Sequence, residues 1–138
     1  MAEQINALVV SGDDEIFDEL RRTLETLGIV VTHARNYHEA SQLLKNHKGI
    51  DVIFTETDLQ DGNWADTLRL AQRLMNYAPV IVVSRNVDVG LYIETIDRGA
   101  FDFVTPPFLT SDLAHIVRSA VYKELLSVKQ DMTARPAA

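Results

Sequence analysis

Short apolar runs alternate along the chain with stretches whose apolar residues recur every three or four positions, and glycine or proline marks the joins. Five runs have the length and composition of buried strands: Ile5 to Val10, Ile29 to Thr32, Asp51 to Thr55, Pro79 to Val83 and Phe101 to Val104. The intervening stretches read as helices. Ile16, Phe17, Leu20, Leu24 and Leu27 form one apolar face, with Gly28 placed to end it. Asn36, with Glu39 three residues on, opens a second helix carrying Ala40, Leu43 and Leu44. A turn at Gln60-Asp61-Gly62-Asn63 precedes a third with Trp64, Leu68, Ala71 and Met75. Val89, Tyr92, Ile93 and Ile96 give a fourth the right period, although Gly90 costs about 1 kcal/mol against alanine in a helix interior. The fifth opens near Thr110-Ser111-Asp112. Its apolar side is Leu113, Ile116, Val117, Ala120, Val121, Leu125 and Val128, and it runs to about Met132. Residues Thr133 to Ala138 read as a frayed tail.

Five strands, each followed by a helix, predict an α/β fold: one doubly wound domain with a parallel sheet and helices on both faces. Right-handed crossovers give the strand order 2-1-3-4-5, with the functional crevice at the carboxyl ends of strands 1 and 3. That rule names Ser11, Gly12, Asp13 and Asp14 after the first strand and Glu56, Thr57 and Asp58 after the third. The neighbouring strand ends add Ser84, Thr105 and Pro106.

Composition narrows the function classes. At 138 residues there is room for one domain, and 46% apolar with 24% charged residues is ordinary for a chain with a real core. No apolar run approaches the ~18 residues of a membrane span, and Met1-Ala2-Glu3-Gln4 lacks the basic start of a secretory signal. Zero cysteines exclude disulfides and thiolate metal sites. A net charge of −7 argues against direct contact with nucleic-acid phosphates. The expectation is a soluble, acidic, cytoplasmic domain with neither nucleic acid nor membrane as its direct partner.

Asp13, Asp14, Glu56, Asp58 and Asp61 bring five carboxylates to the crevice loops. Hard oxygen ligands suit Mg²⁺ or Ca²⁺, and a carboxylate there can take a phosphoryl group. The plainer reading has Asp13 capping the first helix while Asp58 and Asp61 are solvated. Glu56, directly after an apolar strand, is harder to dismiss. A nucleotide loop is disfavoured, because Asp13-Asp14 follow the single glycine and no Gly-x-Gly-x-x-Gly or Walker-type lysine loop occurs. His33, His38, His47 and His115 share no ligand spacing and read as surface or packing residues. Ser11 and Ser84 lack the Gly-x-Ser-x-Gly surroundings of a hydrolase nucleophile.

Several blocks together resemble the receiver domain of two-component response regulators. They are Ala7-Leu8-Val9-Val10 with its polar loop, Leu27-Gly28, Asp51 through Glu56, Asp61-Gly62, Pro79 through Ser84, and Gly99 through Phe108. The last block is the most specific, and it resembles the family's Gly-Ala-x-Asp-Tyr/Phe-x-x-Lys-Pro-Phe. The likeness spans residues 5–128 and leaves 129–138 as helix end and disordered tail. It implies a flavodoxin-like (βα)₅ domain.

The resemblance also implies a site at which this chain departs from the pattern. The family's two Mg²⁺-binding acids correspond to Ser11 and Gly12, with Asp13 and Asp14 as neighbouring acids. The phosphoacceptor aspartate corresponds to Glu56, the phosphoryl-contacting hydroxyl to Ser84, the lysine to Pro106, and the switch aromatic to Phe103. Without a lysine at ~4 Å, a phosphoryl group forfeits about 4 kcal/mol of attraction at an effective dielectric of 20. The expectation is a degenerate pseudo-receiver: not an enzyme, holding no metal or cofactor, and acting as a phosphorylation-independent interaction module in bacterial phosphorelay signalling. Glu56 is then either a built-in charge reaching towards Ser84, imitating a phosphorylated aspartate, or a solvated relic. The family's Lys-Pro bond is typically cis, and Pro106-Pro107 can adopt that geometry.

The expected partner is another signalling protein. A homodimer through helix 4, strand 5 and helix 5 is the alternative use of that face. The competing function is a rewired receiver in which Asp13 and Asp14 bind Mg²⁺ and Glu56 accepts phosphate. A flavodoxin-like small-ligand binder is a third class.

Overall fold

The computed structural model describes residues 4–46, 49–74 and 78–134, with side chains described as far as Tyr122. His47, Met75 and residues 135–138 therefore lie outside the described residues, as do the side chains of Leu125 and Val128. Five strands form one parallel sheet: β1 (Asn6–Val10), β2 (Val30–Ala34), β3 (Val52–Glu56), β4 (Val80–Val83) and β5 (Asp102–Val104). Their order is β2-β1-β3-β4-β5, as the alternation of strands and helices predicts. The helices are α1 (Asp14–Thr26), α2 (Tyr37–Asn46), α3 (Trp64–Leu74), α4 (Val89–Asp97) and α5 (Thr110–Ala134). One element was not foreseen. The expected turn at 60–63 is the end of a two-rung antiparallel hairpin pairing Asp58–Leu59 with Gly62–Asn63.

The central strands are apolar on both sides because both faces of the sheet are covered. Leu8, Val10, Ile53, Val80 and Val82 pack with Ala40, Leu44, Trp64, Leu68 and Ala71 from α2 and α3. On the other face, Ala7, Val9, Phe54, Ile81 and Val83 meet Ile16, Leu20 and Leu24 of α1 and Leu113 and Val117 of α5. Gly28 ends α1 with a φ of 80°, where a side chain would be strained.

The fourth helix forms where expected, but it turns a different face inward. Asp88 caps it by accepting from the Leu91 N–H, and Gly90 falls in the first turn rather than the interior. Its one fully buried residue is Thr95, whose hydroxyl donates to the Tyr92 carbonyl at 2.8 Å. Val89, Tyr92, Ile93 and Ile96, the residues whose spacing predicted the helix, are all exposed.

Candidate functional site

Parallel pairing in register brings the candidate residues together. Val10 is opposite Thr55 and also opposite Ala34, so Ser11, Glu56 and Arg35 emerge side by side at the carboxyl edge. Glu56 is opposite Val83 and Val83 opposite Val104, which places Ser84 and Thr105 along the same edge. Ser11 is buried, its N–H donating to the Ala34 carbonyl at 2.9 Å. At Gly12 an added Cβ would lie 3.2 Å from the Arg35 carbonyl oxygen, so the tight approach of β2 favours glycine there.

The carboxylate of Glu56 turns back onto this loop. Its Oε1 accepts from the Ser11 hydroxyl at 2.8 Å, the Gly12 N–H at 2.9 Å and the Asp13 N–H at 3.3 Å. Successive main-chain N–H groups converging on one oxygen form an anion-binding nest, here filled by the protein's own side chain. This corrects both sequence expectations for Glu56. It neither reaches for Ser84 nor stands in bulk water. Ser84 is occupied in its own loop, donating to the Asn86 carbonyl at 2.9 Å and accepting from the Asn86 N–H at 3.3 Å.

The neighbouring acids are likewise engaged. Asp13 caps α1, its Oδ1 accepting from Glu15 and Ile16 N–H groups at 3.0 and 3.1 Å. Its other oxygen takes a hydrogen bond from the Arg85 guanidinium, which also lies 3.7 Å from Glu15. That guanidinium, followed by the Ile16 N–H, holds the Asp13 carboxyl below its ordinary value. Asp14 pairs with Arg35 at 3.0 Å. Neither arginine was expected at the site, although Arg35 directly follows β2 and Arg85 lies two residues after β4, at the edge where the crevice must lie.

Asp61 also departs from expectation. It is not a free solvated acid, because it accepts from the Tyr37 and His38 N–H groups at 2.8 and 2.9 Å and so caps α2 from the hairpin. Burial pushes its carboxyl up, but those main-chain donors outweigh it and the net direction is down. Asn36 accepts from the Glu39 N–H at 2.9 Å, as the helix-start pattern predicts. Glu39 itself reaches back to the Arg35 N–H. Asp58 remains exposed, its carboxylate accepting from the Thr57 hydroxyl at 3.4 Å.

His33 stacks on Phe17 with ring centroids 3.6 Å apart, and its Nε2 lies 2.8 Å from the Ser11 carbonyl. It is a packing residue that also steadies the loop carrying the nest. Pro106–Pro107 is cis, the geometry that the sequence allows. Proline brings no amine to the crevice. Phe103 is half-buried on β5, edge-on to Tyr92 at 5.8 Å between centroids. Beside Glu56 an open groove of about 530 Å³ is lined by Gly12, Asp13, Arg35, Glu39, Asp58 and Gln60, among others. Among the described residues no three acids or histidines converge as a metal site, and no helix is long and apolar enough to cross a membrane.

Comparison with known proteins agrees with this architecture. The profile of the response regulator receiver domain matches residues 7–118. The chain is 30% identical over 115 residues to the response regulator protein PilR of Pseudomonas aeruginosa, covering 83% of this chain and 26% of that one. It is 31% identical over 114 residues to the transcriptional regulatory protein KdpE of Mycobacterium tuberculosis, covering 83% and 50%. The chain thus spans between a quarter and a half of those relatives' length. Among solved structures, a receiver domain protein from Clostridium thermocellum superposes with a TM-score of 0.78 at 23% identity, over 88% of this chain and 98% of that one. A CheY-like receiver from Methanospirillum hungatei gives 0.79 at 19% identity, over 91% and 99%. At those identities the structural likeness speaks for the fold alone.

Proposed function

This chain belongs to the response regulator receiver domain family, and from that premise we infer that it is a pseudo-receiver, a cytoplasmic bacterial signalling module that works without the phosphorylation cycle. The observation that carries this reading is the closure of Glu56 on the Ser11–Gly12–Asp13 nest. Hydrogen bonds to a charged group contribute about 1.5–3 kcal/mol each, so three donors on Oε1 draw charge out of the carboxylate, lower its nucleophilicity and hold it turned onto the loop. The nest that a bound anion would otherwise use is already satisfied. Pro106 offers no cation to draw a phosphoryl group in.

The family's chemistry uses Mg²⁺, and the residues here do not fit it. Ser11 and Gly12 bring no carboxylate, Asp13 is spent on the α1 cap and Arg85, and Asp14 is paired with Arg35. Freeing Asp13 for a metal would unpair a guanidinium and expose a helix end together. We therefore assign no metal, cofactor or enzymatic step. The module speaks to a signalling protein through the face formed by α4, β5 and α5.

The test is incubation of the purified chain with Mg²⁺ and a small phosphodonor, followed by intact-mass measurement. No gain in mass is expected. A stoichiometric gain of one phosphoryl group, lost in Glu56→Gln, would overturn the reading.

A further inference from the structure

Two loops too far apart for a shared strand ladder are joined by one side chain. β3 lies between β1 and β4 in the sheet. Neighbouring strands are about 4.8 Å apart, so the loops after β1 and β4 leave the edge about 10 Å from one another. Among the described residues, every polar contact between residues 11–15 and 84–88 belongs to Arg85. Its guanidinium donates to Asp13 Oδ2 and stands 3.7 Å from Glu15 Oε1. The loop that presents it is closed on itself. Ser84 and Asn86 bond one another across it, hydroxyl to carbonyl at 2.9 Å and N–H to hydroxyl at 3.3 Å.

The residue that Arg85 grips serves three ends at once. Asp13 gives its N–H to Glu56 at 3.3 Å, caps α1 through Oδ1 and offers Oδ2 to the guanidinium. The local charge calls for a cation. Asp13, Asp14 and Glu15 are consecutive, and Glu56 turns a fourth carboxylate onto the same loop. The positive end of α1 and two guanidiniums answer them. Arg35 takes only Asp14, and it comes from β2, the strand already next to β1. Arg85 takes Asp13 and Glu15 from the far side of β3. A divalent ion would bring the same sign of charge, but Ser11 and Gly12 supply no carboxylate to hold one.

Resting on the pseudo-receiver reading, we propose that Arg85 is the crevice's own cation, a positioning residue that couples the Glu56 nest to the β4–α4 loop through Asp13. A tethered guanidinium cannot dissociate as an ion can. The crevice therefore keeps one charge balance, and the two loops one arrangement, whatever the divalent-ion concentration. Opening of either loop favours opening of the other. The side chains of Arg85 and Asp13 are 52% and 27% exposed. Water screens such a pair, so the coupling is modest, a factor of about three in the population of open loops.

The test is amide hydrogen exchange, read by NMR on the ¹⁵N-labelled chain and corrected for intrinsic rates. It runs as a double-mutant cycle of Arg85→Ala and Asp13→Asn. Asparagine keeps the α1 cap and the nest N–H, so that variant removes the ion pair alone. Each single variant should raise exchange about three-fold at both Gly12, in the nest, and Asn86, in the β4–α4 loop. The double variant should go no further than either. Arg35→Ala, which deletes the other guanidinium, should leave Asn86 unchanged. Millimolar Mg²⁺ should alter neither amide in the natural chain. An Arg85→Ala variant that moves neither amide, or only Asn86, would overturn the proposal. So would full additivity in the double variant, an Asn86 response to Arg35→Ala, or a Mg²⁺ response in the natural chain. Phosphoryl uptake at Glu56 would sink the pseudo-receiver reading instead, and the cycle, run without a phosphodonor, reads the clamp independently of it.

Discussion

The crevice at the ends of β1 and β3 and the outer face of α4 use opposite logics within one small domain. At the crevice, charged groups find partners inside the chain. Glu56 has the nest, Asp13 has a helix end and Arg85, Asp14 has Arg35, and Asp61 has two N–H groups of α2. Around α4 the reverse holds: large apolar side chains meet water, and among the described residues Asp88, Asp97 and Asp112 form no ion pair, while Glu94 pairs with Arg98. A polar site that satisfies itself has little to gain from a ligand. An apolar face that leaves itself uncovered has much to gain from a partner. On the pseudo-receiver reading, that difference withdraws phosphoryl chemistry from the crevice.

That contrast can be broken from the crevice side first. Leu20, fully buried where α1, whose N-terminus Asp13 caps, packs on the sheet, should cost about 2–5 kcal/mol when cut to alanine, read by denaturant melts. Glu56→Ala should come next, at about 1–3 kcal/mol, because it removes the charged acceptor shared by the Ser11 hydroxyl and the Gly12 and Asp13 N–H groups while deleting little packing. If Glu56→Ala proves neutral, the nest is not holding the loop.

Asp13→Asn is smaller and sharpens the account through pH. Asparagine still caps a helix, so the loss at neutral pH is the ion pair with Arg85, about 1 kcal/mol or less. In the native chain Asp13 is held below the ordinary value of 3.8. A carboxylate lowered on folding contributes stability that is fully present above its unfolded value. That stability is lost as pH falls through the lower folded value. The gap between native chain and Asp13→Asn should therefore be constant above about pH 5 and shrink below about pH 4. A gap that widens on acidification would reverse the assignment. Smallest of all, Ile93→Glu should leave stability within about 0.5 kcal/mol, since its side chain faces water. A large loss there would mean that α4 is packed and not waiting.

How much of this was legible in the sequence follows from what determines each feature. Strand order and the crevice's location follow from apolar runs such as Ala7 to Val10 and Val80 to Val83, which only a doubly covered sheet requires. The direction of α4 was not legible, because Leu91 and Thr95 define one face and Val89, Ile93 and Ile96 another with the same period. A buried threonine that bonds its own helix gives no hydrophobic signal. The fate of Glu56 was hidden for a different reason. Its identity at the end of β3 was plain, but a longer side chain can turn either way, and Gly12 and Ser11 decided it. Arg35, directly after β2, and Arg85, two residues after β4, were readable from their positions at the strand ends. Asp61 was not, since the hairpin that carries it to α2 rests on two rungs of pairing.

The most direct test of the central claim is intact-mass spectrometry of two proteins after incubation with Mg²⁺ and a small phosphodonor. One is the natural chain. The other carries Ser11→Asp, Gly12→Asp, Glu56→Asp and Pro106→Lys, which rebuilds the family's acids, acceptor and lysine on the same fold. The account predicts a phosphoryl group on the rebuilt protein and none on the natural one. A natural chain that gains the group at Glu56 would contradict it.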